Sequence, residues 1–191
     1  MKSSNKIYQS WRIFFMICLV CTYHMPLDAV SVRNLSLDQL INQSGQVVFC
    51  QVLKAEDTFQ EAEGVMLPIT HYQLQIIDHI SGPHQTGITI SVSMVRDAPI
   101  GKVEGKPILS GLSNIELETG NHYLLFLTHE SPIGLCTAVG LQQGCLLCVP
   151  TENGFTIQHG GQVTRRGTSY SSFRDEIKRR TQTENHTGEK E

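Results

Sequence analysis

Cysteines and histidines carry the reactive chemistry this chain could hold. Cys145-Leu-Leu-Cys148 has the spacing of redox dithiols and of metal-ligating pairs. In redox proteins such a pair opens a helix, where the thiol pKa falls. Here it lies inside the apolar run 145–149, which reads as a strand. Residues three apart on a strand point to opposite faces. They are about 10 Å apart at ~3.3 Å of rise per residue, too far for a mutual disulfide. Buried thiols or structural disulfides are therefore expected, not a reactive dithiol. The histidines are scattered: His71, His79, His84, His122, His129 and His159. His71 and His79 share a strand face but are too distant along it to hold one metal, and His122 and His129 flank a strand on opposite faces. There is no His-Glu-x-x-His pair, no Gly-x-Ser-x-Gly elbow and no glycine-rich phosphate loop. The expectation is that there are no catalytic residues, no bound metal and no cofactor.

The elements that would position these residues are mostly strands. His122 to Leu127 (HYLLFL) is aromatic and aliphatic and stands between turn residues. Tyr123, Leu125 and Leu127 share one face, Leu124 and Phe126 the other. Both faces are apolar, so the strand should be covered on both sides, as in a small barrel or sandwich. Pro132 and Gly134 then break the chain. Thr137 to Leu141 reads as a partner strand, and Gly144 as the turn before a third strand, 145–149. In that hairpin Cys136 and Cys148 become near cross-strand neighbours, which makes Cys136–Cys148 the disulfide expected. Cys50 and Cys145 would then pair with each other or remain buried thiols.

Upstream, Ser36 to Asn42 spaces Leu37, Leu40 and Ile41 for a short helix with Ser36 as N-cap. Gln46 to Leu53 is the first strand, and Asp57 to Leu67 reads as a loop. Thr70 to Ile80 alternates Tyr72, Leu74 and Ile76 inward against His71, Gln73 and Gln75 outward, until Ser81-Gly82-Pro83 ends it. Ile88 to Val95 alternates in the same way. Asp97 to Thr119 holds five glycines and prolines and reads as a long excursion, mobile or laid over the barrel. Gly154 forms a turn to a strand around Phe155-Thr156-Ile157. Tyr170 to Arg180 spaces Tyr170, Phe173 and Ile177 for a second helix. Ser172 with Asp175 resembles a capping box, and Arg174, Lys178, Arg179 and Arg180 gather toward its C-terminal end. Those basic residues could meet anionic lipid or a partner, although matching the helix dipole accounts for them. Residues 181–191 are polar and read as a disordered tail.

The chain has 191 residues, 40% hydrophobic and 17% charged, which suits one globular domain with flanking segments. Lys2, Lys6 and Arg12 precede the short apolar run Ile13 to Val20. That is the pattern of an export signal, too short for a membrane span. The expected divisions are a signal peptide over 1–29, a domain over 30–180 and the tail. Lipid attachment at Cys21 is the alternative fate. Cleavage after Ala29 removes three basic residues and one acidic residue, moving the formal net charge from −3 to −5. A mildly acidic exported protein does not suggest nucleic-acid binding. Asn34, Asn42 and Asn185 begin triplets that match the glycosylation pattern, a match that arises often by chance.

Several motifs fall in a shared order: SLDQLINQSGQVVFCQV, then IIDHISGP, then GNHYLLFL, then AVGLQQG, then FRDEI. In that order they resemble a group of uncharacterised secreted bacterial proteins, over about residues 36–178. The resemblance implies a small antiparallel barrel of the oligonucleotide/oligosaccharide-binding (OB) type, shared with the metalloproteinase-inhibitor domain, with a short N-terminal helix and a C-terminal helix. Two departures stand out. No Gly-Gly occurs between Asp97 and Gly111, and four cysteines follow the signal. The resemblance carries over no functional residues. The expected function is an exported, non-enzymatic module, secreted or periplasmic, that binds a protein partner, inhibitor-like or accessory. A periplasmic enzyme using a metal or the thiols is the alternative.

Overall fold

Leu37, Leu40 and Ile41 form the buried stripe of helix α1 (Leu37–Gln43). Ser36 accepts from the Gln39 amide while the Gln39 side chain accepts from the Ser36 amide, a reciprocal cap. The structure is a computed structural model that describes residues 34–109, 115–159 and 163–187. The expected signal peptide and Cys21 lie outside the described residues.

Eight strands follow: β1 (Gln46–Ala62), β2 (Val65–Ser81), β3 (Thr89–Val95), β4 (Lys102–Val103), β5 (Lys106–Pro107), β6 (His122–Leu127), β7 (Cys145–Thr151) and β8 (Gly154–His159). β4 and β5 pair alone, and the other six form one antiparallel sheet in the order β3-β2-β1-β6-β7-β8. The second helix, α2, is Tyr170–Thr187.

β1 and β6 lie at the centre of the sheet, and the apolar pattern of HYLLFL is met on both sides. Tyr123, Leu125 and Leu127 join a core with Val48, Cys50 and Val52 of β1, Tyr72, Leu74 and Ile76 of β2, and Ile90, Val92 and Met94 of β3. Leu124 and Phe126 face the other way, into a second core with Phe49, Leu146 and Ile157 beneath both helices. Register shifts interrupt β1 at three places between Val47 and Lys54. Bulges of this kind bend and twist a strand, and the first core reaches from β3 round to β6.

Four expectations are corrected. Residues 57–67 are not a loop: β1 and β2 continue as a long hairpin arm, with the turn at Glu63-Gly64, both at positive φ. The β1 side of the arm is solvated along much of its length, which erases the alternation. Thr137–Leu141 is not a strand. Only Ala138 bridges to Leu127, Gly140 and Leu141 take left-handed φ, and Leu141–Gly144 is a 3-10 turn. β7 therefore pairs directly with β6. The closed barrel is not made by strand pairing: β3 and β8 are the ends of the sheet. Between β3 and β6, the Cys136 amide donates to Ser93 O at 2.9 Å, the Thr128 amide to Thr137 O at 2.9 Å and the Val139 amide to Phe126 O at 2.7 Å. Finally, α2 starts at Tyr170 and runs to Thr187. Ser172 lies within it rather than capping it, and the basic residues stand mid-helix.

Candidate functional site

A cleft of about 320 Å³ opens where the β1–β2 arm leaves the first core. Its geometry begins with strand register. Asp57 of β1 stands opposite Thr70 of β2, and the Thr70 hydroxyl donates to Asp57 Oδ1 at 2.7 Å. Thr70 is 4% exposed, a buried hydroxyl made tolerable by that acceptor. Arg96 follows β3 and is tied to β2 by its amide, which donates to Pro68 O. Its Nε lies 3.4 Å from Asp57 Oδ2, close enough for an ion pair, although Nε makes no hydrogen bond. Nη1 donates to Asp97 O, and the guanidinium stands 5.7 Å from the Phe59 ring centroid.

The floor is set by the end of the long excursion. Ile115 and Leu117 are buried in the first core, and two phenols hold them there. The Leu117 amide donates to Tyr72 Oη at 3.3 Å, and the Glu118 amide to Tyr123 Oη at 3.1 Å. The end of the excursion, Ile115 to Leu117, thus lies in the first core. Glu116, between the two apolar residues, lines the cleft with Asp57, Asp97 and Arg96. Three carboxylates against one guanidinium give the cleft a negative balance. This arrangement can hold a polar or cationic group by charge-assisted hydrogen bonds. No motif marks it in the sequence; the one available signal was the Ile115-Glu-Leu117 alternation inside a segment otherwise read as loop.

The residues singled out in the sequence do not assemble here. Cys136 packs against the first core and Cys148 lies in the second, on the opposite side of the sheet. The expected Cys136–Cys148 disulfide rested on a 137–141/145–149 hairpin, and that hairpin does not form. Cys148 instead stands opposite His122, while the Cys136 amide reaches β3. Cys50, Cys136, Cys145 and Cys148 are all free thiols. Cys145 and Cys148 take opposite sides of the sheet, as their spacing predicts. Cys50 and Cys145 share a side but sit two strands apart, about 10 Å at ~4.8 Å per strand, too wide for a bond. Burial pushes the Cys136 thiol up to about 11 and Cys145 and Cys148 up to about 12, and raises Cys50 further.

The histidines are dispersed. His71 Nδ1 pairs with Ser93 Oγ at 2.8 Å. His122 stacks among aromatic rings, 6.0 Å from the Phe49 centroid and 4.8 Å from that of Phe155, and burial lowers its pKa. Among the described residues no group of three His, Cys, Asp or Glu side chains is placed to hold a metal ion. The basic residues of α2 meet acids of the chain itself: Arg174 and Lys178 reach Asp78, and Arg180 joins Glu176 and Asp38. Among the described residues no helix is long and apolar enough to cross a membrane. No family model, curated protein or solved structure matches this chain.

Proposed function

We propose that this chain is an exported, non-enzymatic module that binds a protein partner through the far end of the β1–β2 arm. One observation carries the reading: large apolar side chains are held in water on loops fastened to that arm. Ile100 is 91% exposed, Ile133 47% and Leu109 41%. The Leu109 amide donates to Met66 O, and Gln60 Nε2 donates to Ile133 O. Gln60 and Met66 stand on adjacent rungs of the arm. Beneath them Leu67, Ile69 and Leu135 form a small core that stiffens the end. Apolar loops on a rigid scaffold suit recognition. An OB-type barrel is the finer reading of the fold; the hydrogen bonds of residues 136–139 to β3 and β6 support it. The inhibitor-like or accessory role comes from the resemblance described above.

The test is a pull-down from native envelope and culture fluid, with wild type and the triple variant Ile100→Asp, Leu109→Asp, Ile133→Asp as parallel baits. A partner retained by wild type and lost by the folded variant supports the reading. Equal retention by both baits overturns the assigned surface. Stoichiometric zinc in the purified protein would favour the enzyme alternative.

A further inference from the structure

The two ends of the main sheet are finished differently. β8 is covered by its own chain: the Ile157 amide donates to Thr168 O, the Gly167 amide to Ile157 O, and Thr156 bridges to Ser169. Among the described residues, β3 is covered only toward its C-terminal end, where Ser93 O takes the Cys136 amide. Backbone direction along β3 follows from two contacts. Ile88 O accepts from the Ile76 amide, so Ile88, Ile90, Val92 and Met94 turn their backbone groups toward β2. Ser93 O turns away, and Thr89 and Ser91 turn away with it. Both are exposed, so their amides and carbonyls form an open edge. Proteins blunt such edges with charge, proline, bulges or a covering segment. Thr89–Val95 reads TISVSMV, with no charge, proline or glycine.

We propose that the β3 edge pairs antiparallel with β3 of a second copy of this chain, about a two-fold axis at Ile90. The edge is self-complementary, as such an axis requires. Thr89 faces Ser91 of the second copy, and Ser91 faces Thr89 of the second copy. Each pair exchanges both backbone hydrogen bonds and sets hydroxyl beside hydroxyl. The uncharged strand places no like charges opposite one another. On the inner face Ile88, 39% exposed, comes opposite Val92 of the second copy. Each Cys136 contact then falls beside Gly87 of the other copy, where the chain has already turned back, its amide donating to Ile76 O.

Sedimentation velocity on the full chain across a concentration series tests this. Wild type should show a dimer that grows with concentration, with the Thr89 and Ser91 amides slowing in hydrogen exchange as it forms. Ser91→Pro should abolish the dimer and keep the thermal midpoint, because that amide points away from β2 and proline is tolerated on edge strands. Should Ser91→Pro fail to fold, the double variant Thr89→Lys, Ser91→Lys sets lysine against lysine and should weaken the dimer by ~10-fold or more. A wild-type monomer at every concentration, a dimer untouched by the folded variants, or protection of both amides in the monomer would each overturn the pairing.

Discussion

Residue by residue, the thiols lead to the most direct expectation. The thiolate is the species that reacts, and burial keeps all four described cysteines protonated well above neutral pH. Iodoacetamide at pH 8 should leave the Cys50, Cys136, Cys145 and Cys148 peptides unlabelled in native protein and label all four in denaturant. Non-reducing maps should contain no Cys136–Cys148 peptide; finding one would mean that the β6–β7 pairing is wrong. His122 sets a pH dependence of definite sign. Its folded pKa is lowered by burial, so below the ordinary value of about 6.5 the unfolded chain takes up the proton first. The stability from neutral His122 is complete above that pH, is lost as pH falls below it, and levels off under the folded pKa. Unfolding midpoints from pH 8 to pH 5 should show this drop, and His122→Phe should flatten its own share. Leu125, fully buried at the sheet centre, should cost roughly 2–5 kcal/mol when replaced by alanine, read from denaturant unfolding.

Among the elements, α2 depends on one carboxylate. Tyr170 Oη donates to Asp78 Oδ2 at 2.8 Å, Arg174 Nη1 lies 3.4 Å from the same oxygen, and Lys178 Nζ is 3.9 Å from Oδ1. The Tyr170 ring also stacks on Phe49, with centroids 4.2 Å apart. Tyr170→Phe keeps the stack and removes only the hydroxyl. It should lower stability by about 1–3 kcal/mol, with helical circular dichroism retained at 25 °C. The 3-10 turn depends on Gly144 for a different reason: a Cβ there would run into the Val139 carbonyl oxygen. Gly144→Ala should shift the β6–β7 junction, seen as faster exchange of the Val139 amide, which now donates to Phe126 O. Alternation and helical spacing made these elements legible, because Tyr72, Leu74 and Ile76, like Tyr170, Phe173 and Ile177, repeat with the period of the structure they form. Residues 137–141 read as a short apolar segment between turns, but Gly140 and Leu141 take left-handed φ, a choice that apolar pattern does not encode.

For the whole molecule, the cleft and the arm share one construction. The arm carries Asp57 and Thr70, β3 delivers Arg96, and the excursion brings Glu116 between two plugging side chains. Arg96→Met should therefore loosen both: it removes the Asp57 ion pair and the stacking on Phe59. The ion pair is partly solvated, so the stability change should stay under about 1 kcal/mol. Protease cleavage within the arm should nonetheless rise. An unchanged cleavage rate would show that the arm is held by its backbone ladder alone.

The sequence by itself determined that the fold is mainly β, that HYLLFL lies at its centre, and that a helix stands near each end, because local periodicity and capping chemistry act over a few residues. It also placed Cys145 and Cys148 on opposite faces, which needs only the pleat of one strand. Tertiary structure alone decided which strands pair. β7 lies against β6 rather than against residues 137–141, and that choice moved Cys136 and Cys148 to opposite sides of the sheet. It also decided the length of the arm, where Asp57–Leu67 has no alternation to announce it. The cleft belongs to the same category. Asp57, Arg96 and Glu116 are separated by 39 and 20 positions and meet only because antiparallel register and two tyrosine hydroxyls carry them there. Contacts between residues so far apart are set by packing, which no local pattern records.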